Sequence, residues 1–140
     1  MKIRAIVFED NDLIRSMMRQ ILRQRGYEVV DYSDPSACPL LHSDACYYAC
    51  ADILISDLSM PNMTGLQFLE NQVMKGCKIQ NVALMSGGWT PEELEYARRI
   101  GCQVFSKPFN LREFTFWLDE CESRINPHRV LSDHPLRQIA

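Results

Sequence analysis

Glu9-Asp10, Asp57, Ser86 and Lys107 lie far apart in the chain, yet each closes an apolar run: IRAIVF, ADILIS, NVALM and CQVFS. Short runs of this kind read as buried strands. In a parallel α/β sheet, ligands and chemistry collect just beyond the carboxyl ends of the strands. These positions are therefore expected on one patch, with three carboxylates, one hydroxyl and one ammonium. Crowded carboxylates repel one another unless a cation sits among them. The set suits a hard divalent cation, Mg2+ above all, together with a phosphoryl group.

The elements that must carry this patch alternate between strand and helix patterns. Residues 3–8 form an apolar run interrupted only by Arg4, as in a strand covered on both faces. Asn11 is placed to cap a helix striped by Ile14, Met17, Met18, Ile21 and Leu22, and Gly26 to end it. Strands are expected at 27–32, 53–56, 82–85 and 104–105. A helix is expected over 65–75, with Gly76 as its stop. Thr90-Pro91-Glu92-Glu93 opens another with a cap, a proline in the first turn and a capping box. Asn110 and Glu113 repeat the box ahead of a last helix striped by Phe114, Leu118, Cys121 and Ile125. The segment 35–51 resists assignment, because Pro39 suits a first turn but not a helix interior. Five βα units in one small domain predict a doubly wound α/β sheet with helices on both faces.

Composition bounds the function loosely. A chain of 140 residues with 46% hydrophobic and 24% charged content suits one domain with one core. The net charge of −3 gives no electrostatic reason to expect nucleic-acid binding. No signal peptide and no membrane-spanning stretch is evident, so a cytoplasmic location is expected. In that reducing setting the six cysteines are not expected to form a disulfide framework.

Four fragments together resemble the receiver domain of two-component response regulators. They are FED after the first strand, ISDLSMPNMTG around Asp57, MSG at Ser86 and SKPF at Lys107. The resemblance covers residue 2 to about residue 125, so a receiver domain is assigned to 1–125. Residues 126–140 are left as a short tail, disordered or docked on a partner, with no output or DNA-binding domain. The resemblance implies a flavodoxin-like five-stranded sheet in the order 2-1-3-4-5.

It also implies roles. Asp57 would attack a phosphohistidine on a sensor histidine kinase or histidine phosphotransfer protein and become an acyl phosphate. Asp10 and Asp57 would bind Mg2+ through their side chains, Glu9 through a water, and Ser59 through its backbone carbonyl. Glu9 stands where Asp is usual. Lys107, expected to precede a cis bond to Pro108, would meet a phosphoryl oxygen. Ser86 would donate a hydrogen bond to the modified Asp57, and the loop after it would rearrange. The output would be contact with a downstream protein, and the chain would act on no separate substrate as an enzyme. One departure concerns the aromatic often found three residues before the lysine. Val104 stands there, with Phe105 next to it, and a one-residue shift along a strand reverses the face.

Arg15, Arg19 and Arg23 recur every four residues and read as a solvated face, or as a docking surface for the phosphodonor. Cys38, His42, Cys46 and Cys50 share that spacing, and packing is favoured over a soft-metal site. A metal-dependent aspartyl phosphatase would need a second acid two residues after Asp57, where Ser59 stands. A receiver-like interaction module that is never phosphorylated is the alternative function, and the intact Asp57, Asp10 and Lys107 argue against it.

Overall fold

A computed structural model describes residues 1–33, 48–60, 64–74 and 78–132. The strands are β1 (Arg4–Phe8), β2 (Glu28–Tyr32), β3 (Ile53–Asp57), β4 (Asn81–Ser86) and β5 (Gln103–Ser106). They form one parallel sheet in the order β2-β1-β3-β4-β5, the expected flavodoxin-like arrangement. The helices among the described residues are α1 (Asp12–Gln24), α2 (Gly65–Met74), α3 (Pro91–Arg99) and α4 (Leu111–Arg124). Cys38, Pro39, His42 and Cys46 lie outside the described residues, as do Lys75 and Gly76, so the cysteine–histidine spacing and that helix stop go without a structural account.

Residue parity along the strands sorts the core into two layers. Ala5, Val7, Ile53, Ile55, Ala83, Met85 and Phe105 face Met18 and Leu22 of α1 and Phe114, Trp117, Leu118 and Cys121 of α4. Ile6, Phe8, Val30, Leu54 and Leu84 face the other way, with Leu69 of α2 and Ala97 of α3. Cys50 is buried in this second layer. Both faces of the sheet are covered, which is why β1 and β3 read as nearly continuous apolar runs rather than alternating ones.

The predicted helix starts follow from side-chain caps. Asn11 Oδ1 accepts from the Ile14 N–H at 3.0 Å. Thr90 Oγ1 accepts from the Glu93 N–H at 3.1 Å, and Glu93 Oε1 accepts in return from the Thr90 N–H at 3.0 Å. Asn110 accepts from the Glu113 N–H at 3.0 Å, making the forward half of the expected box. Gly26, at φ 87°, turns the chain out of α1 in a conformation that a side chain would resist.

The chain beyond α4 departs from the expected loose tail. Its described part, to Ser132, is tied beneath the amino ends of the strands. Arg129 binds both carboxylate oxygens of buried Asp52, at 2.8 and 2.6 Å, and the Lys2 carbonyl at 2.7 Å. The Ser132 N–H donates to the Ala49 carbonyl at 2.8 Å. Arg4, the one charge within β1, donates to the Ser132 carbonyl at 2.6 Å and the Cys50 carbonyl at 2.9 Å. An arginine is tolerated in that strand because its head reaches these acceptors at the edge of the sheet.

Candidate functional site

β1 and β3 are neighbours in the sheet, and their carboxyl ends bring the acids together. Glu9 follows β1 and is fully buried, Asp10 is exposed, and Asp57 ends β3 with 6% of its surface exposed. One carboxylate oxygen from each lies within 4.8 Å of the other two. Lys107 enters from the end of β5. Its Nζ is 3.2 Å from Glu9 Oε1 and 3.3 Å from Asp57 Oδ2. The Lys107–Pro108 bond is cis, as expected.

Burial and charge act in opposition here. Burial, then the neighbouring Asp57, push the Glu9 carboxyl up to about 7 against the pull of Lys107. For Lys107, burial works against the charge, but Glu9 and Asp57 outweigh it and hold the ammonium above its ordinary value. Glu9 Oε1 is engaged by Lys107, while Oε2 is buried without a hydrogen-bond partner. Oxygen donors in close range, an excess of negative charge and an orphaned buried oxygen together fit a hard divalent cation. Glu9, Asp10 and Asp57 are the side chains that would hold it.

The remaining positions are less gathered. Ser86 ends β4 and is buried, but its Oγ accepts from the Gly88 N–H at 3.1 Å, within its own turn. Ser59 is exposed on the turn after β3. Val104 packs in the layer shared with α2 and α3, together with Trp89, whereas Phe105 faces α4 and meets the Phe114 and Trp117 rings edge-on at 5.9 and 5.8 Å. The two residues thus point to opposite faces, as their adjacency predicts. Trp89, on the loop between β4 and α3, donates from Nε1 to the Phe105 carbonyl at 2.9 Å.

Two supports escaped the sequence reading. Arg15 lies on the stripe expected to be solvated or to dock a partner, yet its guanidinium donates to the Glu9 carbonyl at 2.8 Å and lies 3.3 Å from Asp31 on β2. Arg19 also pairs with Asp31, at 2.8 Å, so much of the stripe serves the fold, and only Arg23 of the three is exposed. Gly65 opens the helix expected over 65–75. A side chain there would place Cβ 2.6 Å from the Asp57 carbonyl oxygen, so α2 can begin against the end of β3 only with glycine. The signal for this was present in the glycine itself, an unfavourable residue in a helix unless close packing requires it.

Comparisons with known proteins agree with this geometry. Protein-glutamate methylesterase/protein-glutamine glutaminase 2 of Xanthomonas oryzae pv. oryzae is 37% identical over 70 residues, covering 49% of this chain and 19% of that protein. The chain thus matches about a fifth of that relative's length. Chemotaxis protein CheY4 of Vibrio cholerae superposes with a TM-score of 0.71 at 25% identity, over 86% of this chain and 99% of that one. The non-phosphorylated HemR receiver domain of Leptospira biflexa superposes with a TM-score of 0.75 at 22% identity, over 89% and 98%. The sequence profile of the response regulator receiver domain matches residues 5–117, most of the chain. With that match, the parallel sheet in its 2-1-3-4-5 order and the acids at its carboxyl edge, the chain belongs to the response regulator receiver domain family of two-component signalling.

Proposed function

We propose that Asp57 is the phosphoacceptor of a Mg2+-dependent signalling switch. The donor is a phosphohistidine on a sensor histidine kinase or histidine phosphotransfer protein. An Asp57 carboxylate oxygen attacks phosphorus, the P–N bond to the imidazole breaks, and the departing imidazole takes up a proton. The product is an acyl phosphate on Asp57. Phosphoryl transfer asks a protein mainly for position and charge neutralisation. Lys107, already 3.3 Å from Asp57 Oδ2, supplies a positive charge for a phosphoryl oxygen. Glu9, Asp10, Asp57 and the Ser59 carbonyl would hold Mg2+, which when bound would offset the charge of the phosphoryl oxygens. Ser86 would exchange its place in the turn for a hydrogen bond to the phosphoryl group. The chain catalyses its own modification and its hydrolysis only, and it signals by contact with a protein that recognises the modified face.

The observation that carries this reading is Lys107 spanning Glu9 and Asp57 above a crowded set of acids. The test is incubation with acetyl phosphate and Mg2+, followed by intact-protein mass spectrometry. One phosphoryl mass should appear in the wild type and be absent from Asp57→Asn. Equal labelling of that variant, or labelling indifferent to EDTA, overturns the assignment.

A further inference from the structure

At the amino edge of the sheet, away from the acids, the starts of β3 and β4 and the segment after α4 line a cleft of about 430 Å3. That volume suits a small organic molecule. Among its described lining residues are three cations, Lys78, Arg124 and Arg129, and a single carboxylate, Asp52. The lining is thus net positive in a chain of net charge −3. Arg129 is engaged by both oxygens of Asp52, at 2.8 and 2.6 Å. Arg124 and Lys78 have no acidic partner among the described residues. A buried amide holds Arg124 in place. Asn81, 6% exposed, donates from Nδ2 to the Asp52 carbonyl at 3.1 Å, and its Oδ1 accepts from Arg124 Nε and Nη2 at 3.1 and 3.0 Å. Arg124 Nη2 also lies 3.5 Å from Cys121 Sγ. The N–H groups of Nη1 are left with no protein acceptor among the described residues. A guanidinium fixed on a neutral amide keeps its full charge and loses little further freedom on meeting an anion. Ile125 and Val130 add apolar lining, and the exposed Tyr48 adds a ring.

We propose that this cleft binds a small phosphate monoester with an aromatic body, Arg124 and Lys78 meeting the phosphate and Tyr48 the ring. A phosphate monoester carries close to two negative charges at neutral pH, which the two unpaired cations match. A planar guanidinium fork and a mobile ammonium are both established partners of phosphate oxygens. The cleft lies at the opposite edge of the sheet from Asp57, so the ligand needs no divalent cation and is distinct from the phosphoryl group of the switch. Asp52 leads into β3 and Asn81 opens β4, the strands that end at Asp57 and Ser86. A ligand here therefore sits on the same two strands as the phosphoacceptor and its hydroxyl, from the other end.

The test is a titration of the full chain with adenosine monophosphate in EDTA, followed by backbone amide NMR. Saturable shifts should centre on Ala51, Asp52, Asn81 and Arg129. Adenosine, which lacks the charge, and inorganic phosphate, which lacks the ring, should each bind about tenfold more weakly or worse. Arg124→Gln should weaken binding of the nucleotide by about tenfold. Lys78→Glu, at an exposed position, should weaken it as well with the melting midpoint unchanged, and it serves should Arg124→Gln loosen α4. Asp57→Asn should bind the nucleotide as the wild type does, so failure of the phosphoacceptor assignment leaves this site standing. Shifts that do not saturate at millimolar nucleotide, or that centre on another surface, overturn the site. So does equal binding of adenosine or of inorganic phosphate, or wild-type affinity in Lys78→Glu and Arg124→Gln.

Discussion

An acid with no exposed surface, such as Glu9, carries a desolvation cost that its neighbours must offset. Lys107 does so for one oxygen, and the orphaned oxygen costs about 1–3 kcal/mol until something meets it. Because burial and Asp57 raise this carboxyl from an ordinary 4.5 to about 7, the cation-free folded state keeps a proton that the unfolded chain has already lost. The stability associated with that proton is fully present below pH 4.5 and is lost as pH rises through about 7. Its size is on the order of 3 kcal/mol. In EDTA, the melting midpoint of the wild type should therefore fall across this window, and Glu9→Gln should flatten the fall. Above neutrality, millimolar Mg2+ should raise the wild-type midpoint by roughly 5 °C and move Asp10→Ala much less. A wild-type midpoint that ignores Mg2+ at every pH would count against the site.

At the scale of elements, the β4–α3 loop and β5 are joined by one indole. Trp89 follows Ser86-Gly87-Gly88, and its Nε1 donates to Phe105, so movement of the loop must stretch or break a bond to the last strand. Val104 contributes no ring on that face, and Trp89 packs there instead. Beryllofluoride with Mg2+ should therefore change Trp89 fluorescence. The measurement belongs in a Trp117→Phe background, because Trp117 is buried in the opposite layer. Ser86→Ala should blunt the change while leaving phosphoryl uptake largely intact. Bound beryllofluoride with unchanged Trp89 emission would show that the loop is not the moving part. The strand order and the convergence of Glu9, Asp10, Asp57 and Lys107 were legible from the chain, because each strand is a short apolar run and its last residue names the edge. The indole bond was not, because nothing in the spacing says which carbonyl an indole will find. Nor was the Arg15 support, since helical spacing reports a shared face and is silent about Asp31 on a neighbouring strand.

Across the whole molecule, the segment after α4 acts as a latch. Asp52 has 4% of its side chain exposed and Arg129 has 21%, so the pair sits between buried and surface cases. Removing one partner of a fully buried pair costs about 3–5 kcal/mol, and exposed pairs contribute under about 1 kcal/mol. Arg129→Ala is expected to cost about 1–3 kcal/mol in chemical denaturation, and Asp52→Asn added to it should recover part of the loss. A change below about 0.5 kcal/mol in Arg129→Ala would mean that the latch does not hold the fold. The sequence could not disclose this contact, because HRVLSDH has no periodicity and its partner lies 77 residues away in the chain.

The bond between Arg129 and the Lys2 carbonyl also determines how this protein can be held. Both ends of the described chain meet under the amino edge of the sheet, one strand length, about 15 Å, from the acid pocket. A tether at Met1 or directly at Ser132, whether to a sensor chip, a bead or a scaffold, would present the same orientation, with the pocket turned away from the support. Immobilisation through one end or the other should therefore give the same capture kinetics for a phosphodonor.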